Sequence, residues 1–270
     1  MGKGDSFCRG KAQVDPGRLP GGIAGVWKGM NARGKALIDA AEELREALRE
    51  LRFAEPVRQV YQPLDYAWAG HEAYLRKFGS GRKRGLFLGM NPGPYGMAQT
   101  GVPFGEVAAV RDWMGIEAPV RAVAGEHPKR KVEGFDCRRS EVSGRRFWGW
   151  AADRFGAPEA FFKDYFVANY CPLLFLEESG RNRTPDKLPA AEMAPVEAAC
   201  DAHLRRLIEI LDPAWLIGVG GFAEDRLRAV AGGQPGRRIL RILHPSPASP
   251  AANRGWAAAV NQTLEAADLF

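Results

Sequence analysis

Leu86–Pro94, LFLGMNPGP, decides the fold of this chain. Three apolar residues are followed at once by a turn of Gly, Asn and Pro. Three further stretches have the same form: Tyr165–Pro172 (YFVANYCP), Trp215–Gly221 (WLIGVGG) and Ile239–Pro247 (ILRILHPSP). Continuous rather than alternating apolarity is typical of strands buried on both faces, as in a parallel sheet between helices. The pattern therefore predicts four parallel strands.

Helix-like stretches separate these strands, for example Glu197–Leu211 and Phe222–Ala231. Upstream, Ala36–Phe53 carries Leu and Ala at spacings of three and four residues, which predicts an amphipathic helix docked on the main domain. Together these elements predict an α/β fold, a three-layer α/β/α domain with a four-stranded parallel sheet. Residues 1–30 are rich in Gly, Arg and Lys and predict a flexible arm, which leaves residues 31–270 as a single domain.

Three polar side chains follow the predicted strands. Asn91, Asn169 and His244 each lie just beyond the carboxyl end of one strand. Function in open α/β sheets gathers in the loops at these ends. We therefore expect the three side chains to converge on one crevice.

Composition narrows the class of protein. The chain has 270 residues, a formal net charge of +6 and 46% hydrophobic residues, so it can bury a full core. Its four cysteines form no CxxC pair, and we expect reduced thiols. The first 25 residues lack the apolar stretch of a signal peptide, and no apolar run approaches the roughly 20 residues of a membrane span. These features predict a cytoplasmic protein without a membrane partner.

Several common site types are absent from the sequence. No Gly-Lys-Ser/Thr follows the Gly-Pro turn after Leu88, and no GxGxxG is present, which argues against nucleotide hydrolases and dinucleotide-binding dehydrogenases. The four histidines show no HxxxH or HxE spacing, and no GxSxG occurs. We therefore expect neither a metal nor a cofactor. Taken alone, the Gly-Pro turn is an ordinary strand-to-helix connection and His244 a structural hydrogen bonder.

Residues 121–146 are locally basic, with eight Lys or Arg against four acidic residues. A charge run of this kind is most often a solvated face. With Trp148 and Trp150 close by, it is also consistent with a patch for backbone phosphates. The sequence leaves both interpretations open.

Longer motifs resemble a known family. Gly89–Glu106 is similar to the first motif of the single-strand-selective monofunctional uracil-DNA glycosylases, and His244–Pro247 is similar to the second, with Pro250, Asn253, Gly255 and Trp256 in step. Four segments between these motifs also match: Glu126–Arg130, Ser140–Gly144, Asn169–Leu176 and Ser179–Asn182. The similarity runs from about Val57 to the C-terminus, and it leaves the N-terminal arm outside.

The resemblance implies the uracil-DNA glycosylase fold and a monofunctional DNA glycosylase in residues 31–270. Such an enzyme flips uracil, or a 5-substituted uracil such as 5-hydroxymethyluracil, out of single- or double-stranded DNA. It hydrolyses the N-glycosidic bond and leaves an abasic site for base-excision repair. The expected partner is DNA containing uracil or related damaged bases, and the expected state is a cytoplasmic monomer, nucleoid-associated if bacterial.

The resemblance also assigns roles to residues. Asn91 would hold the attacking water, and His244 would stabilise negative charge at uracil O2 as a neutral donor. Other branches of the superfamily place Asp at the position of Asn91, which implies slower chemistry here. The base-binding residues would be Met90 through its backbone N–H, Gly93 by leaving space near C5, Phe104 by stacking and Asn169 by reading O4 and N3–H.

The loop after His244 would act as a wedge that fills the gap left by the flipped base. Its residues are Pro245, Ser246, Pro247, Ala248, Ser249, Asn253 and Arg254. Relatives carry Arg followed by Asn where this chain has Ala248-Ser249, so a cation toward the duplex is lost. Tyr95 replaces the usual Phe and adds one hydroxyl near the pocket wall.

Three other functions remain open at this point. The first is a glycosylase that prefers another deaminated base, such as xanthine or hypoxanthine. The second is a catalytically silent binder of damaged DNA, against which the retention of Asn91 and His244 counts. The third is a nucleoside hydrolase, which needs neither a basic segment nor a wedge.

Overall fold

The structure, a computed structural model, describes residues 32–270, which belong to one compact unit. The predicted arm over residues 1–30 lies outside the described residues. The strands of the described part are β1 (Val57–Tyr61), β2 (Gly85–Gly89), β3 (Tyr165–Asn169), β4 (Leu174–Glu177), β5 (Trp215–Val219) and β6 (Arg238–Ile242).

Helices surround these strands. The α-helices are α1 (Ala32–Arg49), α2 (Pro63–Tyr66), α3 (Trp68–Phe78), α4 (Met97–Thr100), α5 (Val142–Phe155), α6 (Pro158–Asp164), α7 (Ala190–Leu211), α8 (Gly221–Ala231), α9 (Pro250–Asn253) and α10 (Trp256–Glu265). Ala109–Trp113 is a π-helical turn, and Gly134–Asp136 and Pro185–Lys187 are 3₁₀ turns. No helix of the described residues is both long and apolar enough to span a membrane.

Four strands form one parallel sheet in the order β3-β2-β5-β6. Every residue of β2 and β3 is buried, as the continuous apolar runs predicted. On one face of the sheet, Phe87 packs against Phe147 of α5 and Phe161 of α6. On the other face, Phe166 packs against Tyr74 of α3, with ring centroids 5.2 Å apart. The predicted four-stranded parallel α/β fold is confirmed.

The predicted amphipathic helix exists with shifted ends. It runs from Ala32 to Arg49 rather than from Ala36 to Phe53, and it packs against α7 and α3. Phe53 leaves the helix because its ring packs edge-on against Phe175, with centroids 4.9 Å apart. Helix α7 begins at Ala190, before the predicted Glu197, and continues through Pro195, which lies inside the helix and lacks a backbone N–H.

A second, antiparallel pair of strands was missed by the sequence analysis. Strand β1 pairs with β4, and Tyr61 lies opposite Leu174. Strand β4 continues into a tight turn in which the Gly180 N–H donates to the Glu177 carbonyl at 2.7 Å. The turn returns the chain so that Asn182 pairs with Leu176. This small sheet brings Asn182 to the rim of the functional site.

Candidate active site

A cavity of about 320 Å³ opens beyond the carboxyl ends of β2, β3 and β6. Its lining residues are Met90, Asn91, Pro92, Gly93, Phe104, Glu141, Ser143, Asn169, Asn182, Thr184, His244 and Ser246. The predicted convergence of Asn91, Asn169 and His244 is therefore confirmed. A larger groove of about 560 Å³ lies elsewhere, and none of the predicted site residues lines it.

Asn91 is held by the ends of two neighbouring strands. Backbone pairing continues past the sheet, because the Tyr170 N–H donates to the Gly89 carbonyl and the Cys171 N–H to the Met90 carbonyl, both at 2.9 Å. The Asn91 side-chain N–H donates to the Leu173 carbonyl at 3.2 Å. This hydrogen bond fixes the amide and leaves its carbonyl oxygen as an acceptor on the cavity side.

His244 is half-buried and oriented by its own loop. The Ser246 N–H donates to His244 Nδ1 at 3.1 Å, so the proton of the neutral ring lies on Nε2. Burial lowers the pKa of His244 below its ordinary value. Gly220 has a φ of +90°, and a Cβ there would lie 3.2 Å from the Cβ of His244. The site thus holds a neutral imidazole with one donor.

Phe104 adopts a backbone conformation that is rare for its type, with φ at 52°. This conformation costs about 1–3 kcal/mol and persists only where surrounding contacts enforce it. Here the Phe104 carbonyl accepts a hydrogen bond from Trp148 Nε1 at 3.1 Å, and its ring stacks on Phe147 with centroids 5.0 Å apart. These contacts with α5 fix the position of the Phe104 ring at the wall of the cavity.

Asn169 stands beside Phe104 because Gly89 has no side chain. A Cβ on Gly89 would lie 2.5 Å from Asn169 Oδ1 and 2.7 Å from the Phe104 ring. The Asn169 side-chain N–H donates to Met97 Sδ at 3.2 Å. Asn169 Oδ1 is buried and accepts no hydrogen bond from the described residues. This oxygen is poised for a donor on a ligand.

The carboxyl group of Glu141 lies against Gly93 and Gly96. A Cβ at Gly93 would lie 2.4 Å from Glu141 Oε1, and a Cβ at Gly96 only 1.4 Å from Oε2. The absence of a side chain at both glycines thus makes room for this carboxyl group. The space that Gly93 would leave near C5 of a base stays a prediction. Burial, together with the neighbouring Glu106, raises the pKa of Glu141 to about 7.

Polar atoms without partners cluster in this cavity. Three of the seven buried side-chain N and O atoms that lack a hydrogen-bond partner among the described residues line it: Asn169 Oδ1, Asn182 Oδ1 and Glu141 Oε2. Such atoms are rare in folded proteins because each costs about 1–3 kcal/mol. Asn182 also donates to the Pro92 carbonyl at 3.2 Å. The cavity therefore offers acceptors for a polar, hydrogen-bonding ligand.

The predicted wedge loop is braced from α5. Arg146 donates to the Pro245 carbonyl at 3.1 Å and to Asn253 Oδ1 at 2.8 Å, and the Asn253 amide donates to the Pro247 carbonyl at 2.9 Å. Pro245 is buried, whereas Pro247 and Ala248 are exposed at the tip. Of the other predicted wedge residues, Ser246 lines the cavity, Ser249 caps α9 by accepting from the Ala252 N–H, and Arg254 is exposed.

Residues 76–265 match the model of the Uracil DNA glycosylase superfamily, and two named relatives cover most of the chain. The single-strand selective monofunctional uracil DNA glycosylase of Bos taurus is 51% identical over 232 residues, 85% of each chain. The Mus musculus protein of the same name is also 51% identical, over 85% of this chain and 83% of its own. The chain belongs to the uracil DNA glycosylase superfamily.

The superfamily fold is also found by structural comparison. The crystal structure of wild-type Pedobacter heparinus SMUG2 superposes with a TM-score of 0.62, covering 85% of this chain and 97% of that one. At 20% identity this likeness concerns the fold alone. The resemblance inferred from the motifs and the fold expected from the superfamily are both confirmed.

The sequence analysis did not name five residues that line the cavity, Pro92, Ser143, Thr184, Glu141 and Asn182. Two of them, Glu141 and Asn182, carry buried polar atoms without a partner among the described residues. Both lie within matching segments, Ser140–Gly144 and Ser179–Asn182, so the segments carried the signal. No lysine lines the cavity. Within residues 32–270, no group of three His, Cys, Asp or Glu side chains is arranged to hold a metal ion.

Proposed function

We propose that this protein is a monofunctional DNA glycosylase that hydrolyses the N-glycosidic bond of uracil in DNA and leaves an abasic site for base-excision repair. The observation that carries the proposal is the meeting of Asn91, Asn169, Phe104 and His244 around one cavity. The names and high identity of the relatives support the substrate.

Recognition begins with base flipping, since a stacked base cannot reach the cavity floor. The flipped ring lies against Phe104, where stacking contributes about 1–3 kcal/mol. Asn169 Oδ1 accepts from uracil N3–H, and the second amide hydrogen of Asn169 donates to O4. Cytosine presents an acceptor at N3 and a donor at C4, so it faces both groups with the wrong polarity. The Met90 backbone N–H gives a further contact to the base.

Bond cleavage places negative charge on the departing base and positive character on the sugar. His244 Nε2–H donates to O2, where that charge develops, and a preoriented donor of this kind acts without reorganisation. Asn91 Oδ1 holds the water whose oxygen bonds to C1′ as the C1′–N1 electron pair leaves with the base. An amide is a weak base, so Asn91 acts by positioning the water rather than by taking its proton. That proton passes to solvent, and the uracil anion takes one up from solvent.

The substrate range extends to 5-substituted uracils under this proposal. With Gly93 next to the C5 edge of the base, the Glu141 carboxyl faces any substituent there. A hydroxymethyl group brings a hydrogen-bonding partner to Glu141 Oε2, which has none among the described residues. We therefore propose 5-hydroxymethyluracil as a second substrate.

The remaining parts of the proposal concern the whole chain. Residues 31–270 act as a single catalytic domain, as a monomer without a cofactor. The protein acts in the cytoplasm, nucleoid-associated if bacterial. The three described cysteines, Cys137, Cys171 and Cys200, are free and buried, which fits a reducing compartment.

One assay tests the proposed function. An end-labelled oligonucleotide with a single uracil is incubated with the protein and a chelator, then divided and treated with or without alkali. Strand cleavage only after alkali is the expected result, since a monofunctional enzyme leaves the abasic strand intact. An uncut strand that stays bound to the protein would indicate a silent binder. If the strand with uracil stays uncut but a strand with hypoxanthine or xanthine is cut after alkali, the substrate is another deaminated base.

A further inference from the structure

The basic segment 121–146 differs from the rest of the chain in how its charges are paired. Arginines elsewhere, such as Arg183 and Arg226, form ion pairs with Glu177 and Asp201. Among the described residues, none of the eight Lys and Arg side chains of this segment pairs with an acidic side chain. The segment therefore presents positive charge that the protein itself does not neutralise.

Tyr95 gathers two of these cations. Arg130 Nη1 donates to the Tyr95 hydroxyl oxygen at 2.9 Å, and Arg139 Nη1 donates to the same oxygen. Both guanidinium groups also lie over the Tyr95 ring, 5.6 Å and 5.1 Å from its centroid. One phenol thus holds two like charges together, which repulsion would otherwise separate.

The donors that remain in this cluster are those that an oxyanion requires. The Tyr95 oxygen accepts twice, and its own proton has no acceptor among the described residues. Arg130 is fixed by a hydrogen bond from Nε to the Gly180 carbonyl at 2.8 Å, which leaves Nη2 available. Arg139 is exposed and makes only the bond to Tyr95, so its other N–H groups face solvent. Guanidinium groups with an adjacent hydroxyl match a phosphate in charge and geometry.

The cluster lies on the rim of the cavity. Tyr95 is two residues from Gly93 and Arg139 two residues from Glu141, and both Gly93 and Glu141 line the cavity. Gly180, which holds Arg130, is two residues from the lining residue Asn182. A strand that delivers a nucleotide into the cavity must cross its rim.

We propose that Tyr95, Arg130 and Arg139 form a binding site for one backbone phosphate of the substrate strand. The inference rests on the proposed function, because a DNA substrate supplies the phosphate. It also assigns a role to the Tyr95 hydroxyl, which accepts from both guanidinium groups. The site places cations on the rim of the cavity, whereas the tip of the wedge loop carries the uncharged Ala248-Ser249.

Tyr95→Phe tests the site because it removes one oxygen and keeps both charges. With a single-stranded oligonucleotide holding one uracil, we expect KM to rise about five- to tenfold and kcat to stay unchanged, since a charged hydrogen bond is lost in binding alone. Arg139→Ala should have a similar effect, and the double variant should add little to it. Arg228→Ala removes an exposed, ion-paired arginine of α8 and serves as the control with unchanged KM.

Two further measurements separate this inference from the proposed function. Oligonucleotides with one phosphate at a time replaced by a neutral methylphosphonate should reveal a position that raises KM for the wild type but not for Arg139→Ala. Binding of an oligonucleotide without uracil, followed by fluorescence anisotropy, requires no excision. There Arg139→Ala should reduce the slope of log Kd against log salt by about 0.7, the value for one single-strand phosphate contact.

The outcomes distinguish the two claims. The phosphate site would be overturned if Tyr95→Phe and Arg139→Ala released uracil normally with an unchanged KM, methylphosphonate profile and salt slope. The basic segment would then be a solvated face. If the wild type releases no uracil but Arg139→Ala still reduces the salt slope, the proposed function is overturned and the phosphate site is kept.

Discussion

The Gly89–Glu106 loop and the His244–Arg254 loop both line the cavity, yet they are held in different ways. The first is fixed by buried packing, with Phe104 stacked on Phe147 and with Gly89 allowing Asn169 to approach. The second is held by polar contacts, and its tip is exposed. Packed interiors resist deformation, whereas exposed hydrogen bonds exchange readily with water. Under the proposed function, base recognition resides in the rigid region and insertion into the duplex in the adaptable one.

His244→Ala should give the largest effect, because it removes the donor to uracil O2 from the second loop. We expect kcat to fall about 10²–10³-fold, the usual cost of losing one donor to a developing oxyanion. Binding to the uracil oligonucleotide should largely survive. Single-turnover excision and anisotropy measure the two quantities separately. Unchanged turnover would remove His244 from the chemistry and leave it as a structural part of its loop.

Glu141→Gln concerns the first loop and should alter the pH dependence of its stability. The folded-state pKa of Glu141, about 7, lies above the ordinary value of 4.5. The folded protein therefore binds a proton that the unfolded chain has lost, and stability decreases as pH rises from about 4.5 to 7. The full difference is about 3 kcal/mol at most. Urea unfolding at pH 5 and pH 8 should show wild type losing stability relative to the Gln variant, which has no carboxyl to ionise.

Two buried histidines change stability with pH in the opposite direction, so wild type and the Gln variant must be compared at each pH. Burial lowers the pKa of His71 and His203 to about 4, so their contribution to stability is lost as pH falls below 6.5. These contributions are common to both proteins and cancel in the difference. A constant difference between wild type and variant from pH 5 to 8 would mean that Glu141 ionises normally.

Gly89→Ala tests the rigidity of the first loop directly. The new methyl group would meet Asn169 Oδ1 at 2.5 Å and the Phe104 ring at 2.7 Å, so both recognition groups must shift. Overpacking of this kind costs about 1–3 kcal/mol in stability, and uracil excision should fall with it. Gly221→Ala is the matched control, because its Cβ would meet only Arg241 Nη1, at 3.9 Å. Thermal unfolding and excision rates of the two variants should therefore diverge.

The sequence predicted the sheet and the meeting of Asn91, Asn169 and His244 because buried parallel strands leave a continuous apolar signal, with the polar residues just beyond it. The sequence did not predict the position of Glu141. That residue lies next to Gly93 and Gly96 only because α5 packs close to the loop, with a Cβ at Gly144 coming 2.1 Å from the Phe104 carbonyl. The brace from Arg146 to the second loop likewise spans about a hundred residues of sequence. Contacts of this kind depend on tertiary packing, which one sequence does not encode locally.

Arg146→Ala should give the smallest effect, and it tests whether the second loop acts on duplex DNA. Its guanidinium donates to three groups of that loop, the carbonyls of Pro245 and Ser246 and Asn253 Oδ1. Its loss therefore frees the loop without removing a contact to Phe104 or Asn169. We expect KM for duplex DNA to rise about tenfold, or about 1.4 kcal/mol, the range of one or two hydrogen bonds from a charged donor. The effect on single-stranded DNA should be smaller, because no gap in a helix needs filling. Arg154→Ala, on the same helix and paired with Glu265, is the control. Equal losses on single and double strands would show that Arg146 supports the active site as a whole rather than the loop that enters the duplex.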